Sequence, residues 1–220
     1  MKGRNTILAA IALIVGAGVA QAGPSSQVAW TVETVKLVKS GDPEKGKQLS
    51  AMCANCHGAE GVGMAPNMPS LAGQQADYTY KQLADYKTGS RANPIMSSFV
   101  AQFSDQDMAD IAAYYASMPL PASGQGATGD AAAAKTLVRR GDGKRLIPAC
   151  AACHAEPDFR NHHGAPKLEG QHASYFVDTM KAYGNGSRAN DVYSVMRNIA
   201  KVLTDEELKN LAAYYANPGN

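Results

Sequence analysis

The apolar positions of this chain fall into helix-length blocks, separated by breaks rich in Gly, Pro and Asn. The first block differs from the rest. Ile7 to Val19 is an apolar run broken only by small residues, with Lys2 and Arg4 before it and Ala20-Gln21-Ala22 after it. A positive start, a short apolar run and an A-x-A site make a secretory signal, expected to be cleaved after residue 22. The run is short for a bilayer-spanning helix, and no Cys follows the cleavage site to carry a lipid. Val28 to Val38 is a mixed apolar stretch with the only Trp, Trp30. It reads either as a helix leading into the first domain or as a loose arm.

From Gly41 the pattern becomes regular. In Gly41-Asp42-Pro43, Asp42 is an N-cap and Pro43 suits the first helical position. A helix is expected from Glu44 to about Met52, with Gly46 leaving a bare spot where another helix can approach. Residues 57–69 are rich in Gly, Pro and Asn and read as loop. Tyr80, Leu83, Ala84 and Tyr86 recur at helical spacing, which predicts a helix over Ala76–Lys87. Gly89 to Pro94 breaks it, and Met96 is expected in the loop that follows. Ser104 is the N-cap of a last helix, Gln106–Ser117, with Met108, Ile111, Ala112 and Tyr115 on one face. The Ala-, Gly- and Ser-rich residues 121–134 read as a linker, and an Ala-rich helix starts near Ala131 and runs to about Arg140.

The pattern then repeats. At an offset of 97, Cys53, Cys56 and His57 match Cys150, Cys153 and His154. Pro69-x-Leu71-x-Gly73-Gln74 matches Pro166-x-Leu168-x-Gly170-Gln171. Tyr78 and Tyr86 match Tyr175 and Tyr183, and Gly89-Ser90-Arg91-Ala92-Asn93 matches residues 186–190 without a change. Three residues are then inserted in the second copy. At an offset of 100, Met96 matches Met196, Ser104-Asp105 matches Thr204-Asp205, and Ala112 to Ala116 matches Ala212 to Ala216. The chain is a tandem duplication: a signal at 1–22, a first domain at 23–120, a linker at 121–134 and a second domain at 135–220.

Each copy carries one Cys-x-x-Cys-His, the attachment signature of a c-type haem. Two thiols three positions apart can each add to a vinyl group of one porphyrin, and the adjacent imidazole can bind the iron. The two motifs use all four cysteines. A zinc ribbon needs no adjacent His, a thioredoxin-like pair follows a buried strand that is absent here, and a structural disulfide needs no His at all. Two covalent haem c groups are therefore expected, attached at Cys53, Cys56, Cys150 and Cys153 and ligated by His57 and His154.

The sixth ligand decides between an electron carrier and an open site for small ligands. Met96 alone in the first half has a Met partner in the second, Met196. Each stands eight residues before the N-cap of its last helix. Met96 and Met196 are the expected distal ligands. Met52, Met64, Met68, Met108, Met118 and Met180 read as packing or surface residues. The rivals are His162, His163 and His172, all in the second half. The carbonyls of Pro69 and Pro166, each twelve residues after its His, are candidate acceptors for the ring N–H, unless these prolines are plain turn residues. Arg91, Arg188, Tyr78 and Tyr175 are candidate partners of haem propionates.

Charge adds little. Residues 23–120 hold 7 basic and 9 acidic side chains, and residues 121–220 hold 12 and 10. No basic block suggests nucleic acid. No paired carboxylates and no nucleophile beside a base suggest other catalysis.

The sequence resembles the dihaem cytochrome c4 family. The likeness rests on the motifs above and on Ile147-Pro148-Ala149 before the second haem motif, and it covers about residues 41–217. It implies an all-α fold of two tandem class I cytochrome c domains, related by a pseudo-twofold axis, with haem propionates meeting at the shared interface. It further implies a periplasmic electron carrier, peripherally associated with the membrane, between a quinol-oxidising (quinol–cytochrome c reductase-like) donor and a terminal oxidase-like acceptor. Two other readings remain: the cytochrome subunit of a flavocytochrome dehydrogenase, and a dihaem peroxidase-like enzyme with one open iron. Val28–Val38 lies outside the family core.

Overall fold

The computed structural model describes residues 25–154 and 164–217. The signal segment and the candidate ligands His162 and His163 lie outside the described residues. The first half contains α1 (Val32–Lys39), α2 (Pro43–Leu49), α3 (Ala54–His57), α4 (Ala76–Thr88), α5 (Pro94–Val100) and α6 (Asp105–Ser117). The second contains α7 (Ala131–Arg140), α8 (Ala151–His154), α9 (Ala173–Asn185), α10 (Val195–Ala200) and α11 (Asp205–Ala216). Among the described residues, β pairing is limited to one isolated bridge between Asp142 and Ile147.

Each half is framed by a crossing of two helices. Asp42 caps α2 by accepting the Glu44 and Lys45 N–H groups, and its own N–H donates to Asp110 Oδ1 on α6 at 3.0 Å. Gly46 is required at the crossing. A Cβ there would stand 2.0 Å from the Asp110 carbonyl oxygen. The second half repeats the device: Asp130 caps α7, and its N–H donates to Asn210 Oδ1 at 2.8 Å. Asp130 follows Asp42 by 88 residues, whereas Cys150 follows Cys53 by 97. The duplication therefore reaches back to the first helix of each domain, and the second copy carries nine extra residues between that helix and its haem motif. The short Gly-Asp match at 41–42 and 129–130 was the available signal for this.

Capping boxes at Ser104/Asp107 and Thr204/Glu207 start α6 and α11 where the sequence places them. The apolar face of α6 buries Met108, Ile111, Ala112 and Tyr115 against Tyr80, Leu83, Val100 and Phe103. The face of α11 buries Leu208, Leu211, Ala212 and Tyr215 against Leu137, Phe176 and Met180. Such side chains contribute about 1.5–3 kcal/mol each when fully buried.

Two expectations change. The predicted Glu44–Met52 helix ends at Leu49 and closes with a 3-10 turn, Ser50–Met52. Met96 is not in a loop but in the first turn of α5, because Asn93 accepts the Met96 N–H at 3.0 Å as N-cap and Pro94 occupies the first helical position. Val28–Val38 is helical from Val32 onward, with Thr31 as an extended N-cap. Here α1 packs on α4 and α6, and Val28, Trp30 and Leu37 pack against the first core.

Candidate haem-binding sites and the boundary between them

Each Cys-x-x-Cys-His closes a single helical turn. The His57 N–H donates to the Cys53 carbonyl at 2.9 Å, and the His154 N–H to the Cys150 carbonyl at 3.0 Å. This turn puts both cysteines of a pair on one short segment, and none of the four is in a disulfide.

The imidazoles are fixed in the same way in both copies. His57 Nδ1 donates to the Pro69 carbonyl at 2.8 Å, and His154 Nδ1 to the Pro166 carbonyl at 2.8 Å. Both expected carbonyl partners are therefore in place. A donating Nδ1 selects the tautomer whose Nε2 carries the lone pair, the metal-binding form. Burial lowers the His57 pKa, only partly opposed by the Pro69 carbonyl, which keeps that ring neutral.

Met96 and Cys53 pack against the first core, and Met196 and Cys150 against the second. Each expected Met thus shares a core with its own haem motif. Met118 packs against the first core as well. Met108 and Met180 are core residues, while Met52 and Met64 are exposed. His172 is fully buried, and both ring nitrogens are committed: Nδ1 accepts the Gln125 N–H at 2.9 Å, and Nε2 donates to the Gly63 carbonyl at 2.8 Å. It joins the linker and the second domain to the first, and it is not a ligand.

Arg91 and Arg188 each stack on a tyrosine of their own half, Tyr86 and Tyr183, and reach across to the other half. Arg91 Nη2 donates to Tyr175 Oη at 3.0 Å, and Arg188 Nη2 to Tyr78 Oη at 3.1 Å. Each pair is the image of the other at the 97-residue offset, which is the pseudo-twofold relation at the level of single bonds. Gln82 Oε1 sits between them and accepts from Arg91, Arg188 and Asn190 at 2.9, 3.0 and 3.0 Å. Lys81 is buried beside them and pairs with Asp85 Oδ2 at 2.5 Å. Among the described residues, the boundary sets Arg91, Arg188 and Lys81 beside the Asp85 carboxylate. Burial pushes the Tyr175 phenol up, but the two guanidiniums outweigh it and pull it down to about 7. Arg188 Nη1 is buried with no partner. A boundary with surplus buried cations and an unpartnered guanidinium N–H suits carboxylates, and haem propionates are carboxylates. The residues present fit the group.

Sequence reasoning assigns no role to Gln82, Asn190, Lys81 or Asp85, and it offers His172 only as a rival axial ligand. Lys81 and Asp85 have the i,i+4 spacing of an ordinary surface pair, and only the second domain buries them.

Two helical domains, each with a Cys-x-x-Cys-His turn and an oriented imidazole, define a dihaem c-type cytochrome. The cytochrome c family profile matches residues 43–119 and 141–217. The chain is 40% identical over 179 residues to a thiosulfate dehydrogenase electron acceptor of Stutzerimonas stutzeri (strain A1501), covering 79% of this chain and 82% of that protein. It is 37% identical over 177 residues to cytochrome c4 of Pseudomonas aeruginosa PAO1, covering 80% and 88%. Its fold resembles the crystal structure of reduced recombinant cytochrome c4 from Pseudomonas stutzeri, with a TM-score of 0.73 and 36% identity over 81% of this chain and 99% of that one. The chain belongs to the cytochrome c4 family of dihaem electron carriers and binds two covalent haem c groups.

Proposed function

We propose that this protein carries electrons in the periplasm between a quinol-oxidising donor and a terminal oxidase-like acceptor. In this reading Cys53 and Cys56 attach the first haem, with His57 and Met96 as axial ligands. Cys150, Cys153, His154 and Met196 do the same for the second. The observation that carries it is the repeated histidine–proline bond, which aims two imidazoles at metal in the same tautomer. When bound, each haem supplies a one-electron iron couple whose potential Met ligation raises. The protein holds the thioethers, orients the imidazoles, excludes water with two packed cores and surrounds the domain boundary with cations.

On the donor side, the 40% identity to a thiosulfate dehydrogenase electron acceptor favours a second reading, in which a sulfur-oxidising dehydrogenase supplies the electrons. Stopped-flow reduction by a purified quinol–cytochrome c reductase and by a purified thiosulfate dehydrogenase separates the two. The ligand assignment is tested by absorption spectra of the oxidised and reduced protein, with and without carbon monoxide. Two low-spin haems, a weak long-wavelength Met–iron band and no response to carbon monoxide are expected. Carbon monoxide binding to half of the haem overturns it in favour of a peroxidase-like site.

A further inference from the structure

The nine extra residues of the second copy form a clamped loop with no counterpart in the first. Asp142 and Ile147 exchange backbone hydrogen bonds at 2.8 and 2.9 Å, closing the loop at its base. Arg145 locks it from the side. Its Nε donates to Asp142 Oδ2 at 2.7 Å, and its two Nη atoms grip both oxygens of Glu207 on α11 at 3.0 and 2.6 Å. A bidentate charged pair of this kind fixes geometry as well as adding energy.

What this clamp presents is unusual. Leu146 is 87% exposed and has φ 57°. An apolar L-residue in the left-handed region costs about 1–2 kcal/mol, and here the side chain recovers none of it by burial. Its neighbour Ile147 is buried in the second core, where Cys150 also packs. Leu146 therefore stands four residues from the thiol that fixes the edge of the second haem. Arg139 and Arg140, on the turn of α7 leading into the loop, and Lys144 within it are exposed and make no ion pair with any described residue. Asp142 and Glu207, the acidic groups at the loop, are both taken up by Arg145.

We propose that this loop is a docking surface of the second domain for an acidic redox protein, with Leu146 as the apolar anchor and Arg139, Arg140 and Lys144 as the cations that steer it. An exposed apolar residue on a short loop whose exposed cations make no ion pair among the described residues fits a partner whose face carries carboxylates around an apolar centre. The loop belongs to one copy only, so it gives the two otherwise similar haems different partners. The proposal rests on the electron-carrier reading.

The test uses the full dihaem protein and cytochrome b5 as an acidic probe, with mitochondrial cytochrome c as a cationic control. Second-order electron-exchange rates are measured by stopped flow at several ionic strengths for the parent, Leu146→Asp, the triple variant Arg139→Glu/Arg140→Glu/Lys144→Glu, and Val32→Asp as an exposed first-domain control. Leu146 and the three cations are exposed, so folding is preserved. The absorption spectrum of each variant reports ligation separately, so a failed haem assignment shows there and not in the rates. Steering by a small charge cluster is worth roughly ten- to a thousandfold in rate. Both loop variants are expected to slow exchange with cytochrome b5 at low salt by about tenfold or more, and the triple variant to flatten its salt dependence. Val32→Asp and the cationic control should stay within about twofold. Parent rates in both loop variants overturn the proposal. So does a loss that follows Tyr193→Ser, at another exposed apolar site of the second domain, in place of Leu146.

Discussion

Gln74 and Gln171 each reach across the domain boundary to the other half. Gln74 donates to the Lys167 carbonyl at 3.0 Å and accepts the Lys167 N–H at 2.9 Å. Gln171 makes the same pair of bonds to Ser70, both at 3.0 Å. Lys167 and Ser70 each follow the proline that orients its domain's imidazole, so the glutamine of one domain braces the histidine loop of the other. Gln74→Ala removes both bonds to the Lys167 backbone at a half-buried site, at about 1–3 kcal/mol. The double variant Gln74→Ala/Gln171→Ala is expected to split thermal unfolding into two transitions, read by calorimetry. A single transition at the parent midpoint shows the brace to be dispensable.

Met96→Ala should open the first iron without disturbing the second. Half of the haem then binds carbon monoxide and one of the two potentials falls, because the ligand that favours ferrous iron is gone. Met196→Ala should do the same to the other half. Redox titration with a carbon monoxide difference spectrum checks both.

Gly46→Ala tests the α2–α6 crossing. Ala is the better helix former by about 1 kcal/mol, yet its Cβ would meet the Asp110 carbonyl at 2.0 Å. Overpacking wins, with a net loss of about 1–3 kcal/mol in urea unfolding. A stabilised variant means the helices separate without cost.

The buried Lys81–Asp85 pair should show the asymmetry of such pairs. Asp85→Ala leaves a buried ammonium unpaired and costs about 3–5 kcal/mol, whereas Lys81→Met/Asp85→Leu recovers most of that loss. Desolvation is the main force on Lys81 and lowers its pKa, with Asp85 opposing it. Denaturation midpoints of the single and double variants decide it.

The loop clamp carries a pH signature. Hydrogen bonds from Arg145 hold the Glu207 carboxyl at about 2, against an ordinary value of 4.5. The folded pKa is the depressed one, so the clamp is at full strength above about pH 4.5 and is lost as pH falls toward 2. Hydrogen exchange at the Asp142 and Ile147 amides should accelerate across that window, and Glu207→Gln should weaken the pH dependence, leaving the part carried by Asp142, which Arg145 also holds.

The sequence alone determined what depends on near neighbours: the haem motifs, the duplication from Cys53 onward and the capping boxes at Ser104 and Thr204, while it offered the Pro69 and Pro166 carbonyls as candidates. Each is a spacing fixed within a turn or a short loop, so covalent geometry and helical periodicity suffice to read it. Tertiary structure decided what depends on distant residues. Asn93-Pro94 reads equally as a helix breaker or a helix start, and packing of α5 on α4 chose the start, carrying Met96 onto a helix. Arg91 meets Tyr175 across 84 positions and His172 meets Gly63 across 109. Local pattern leaves no trace of such pairings, because they exist only once one domain has removed water from the face of the other.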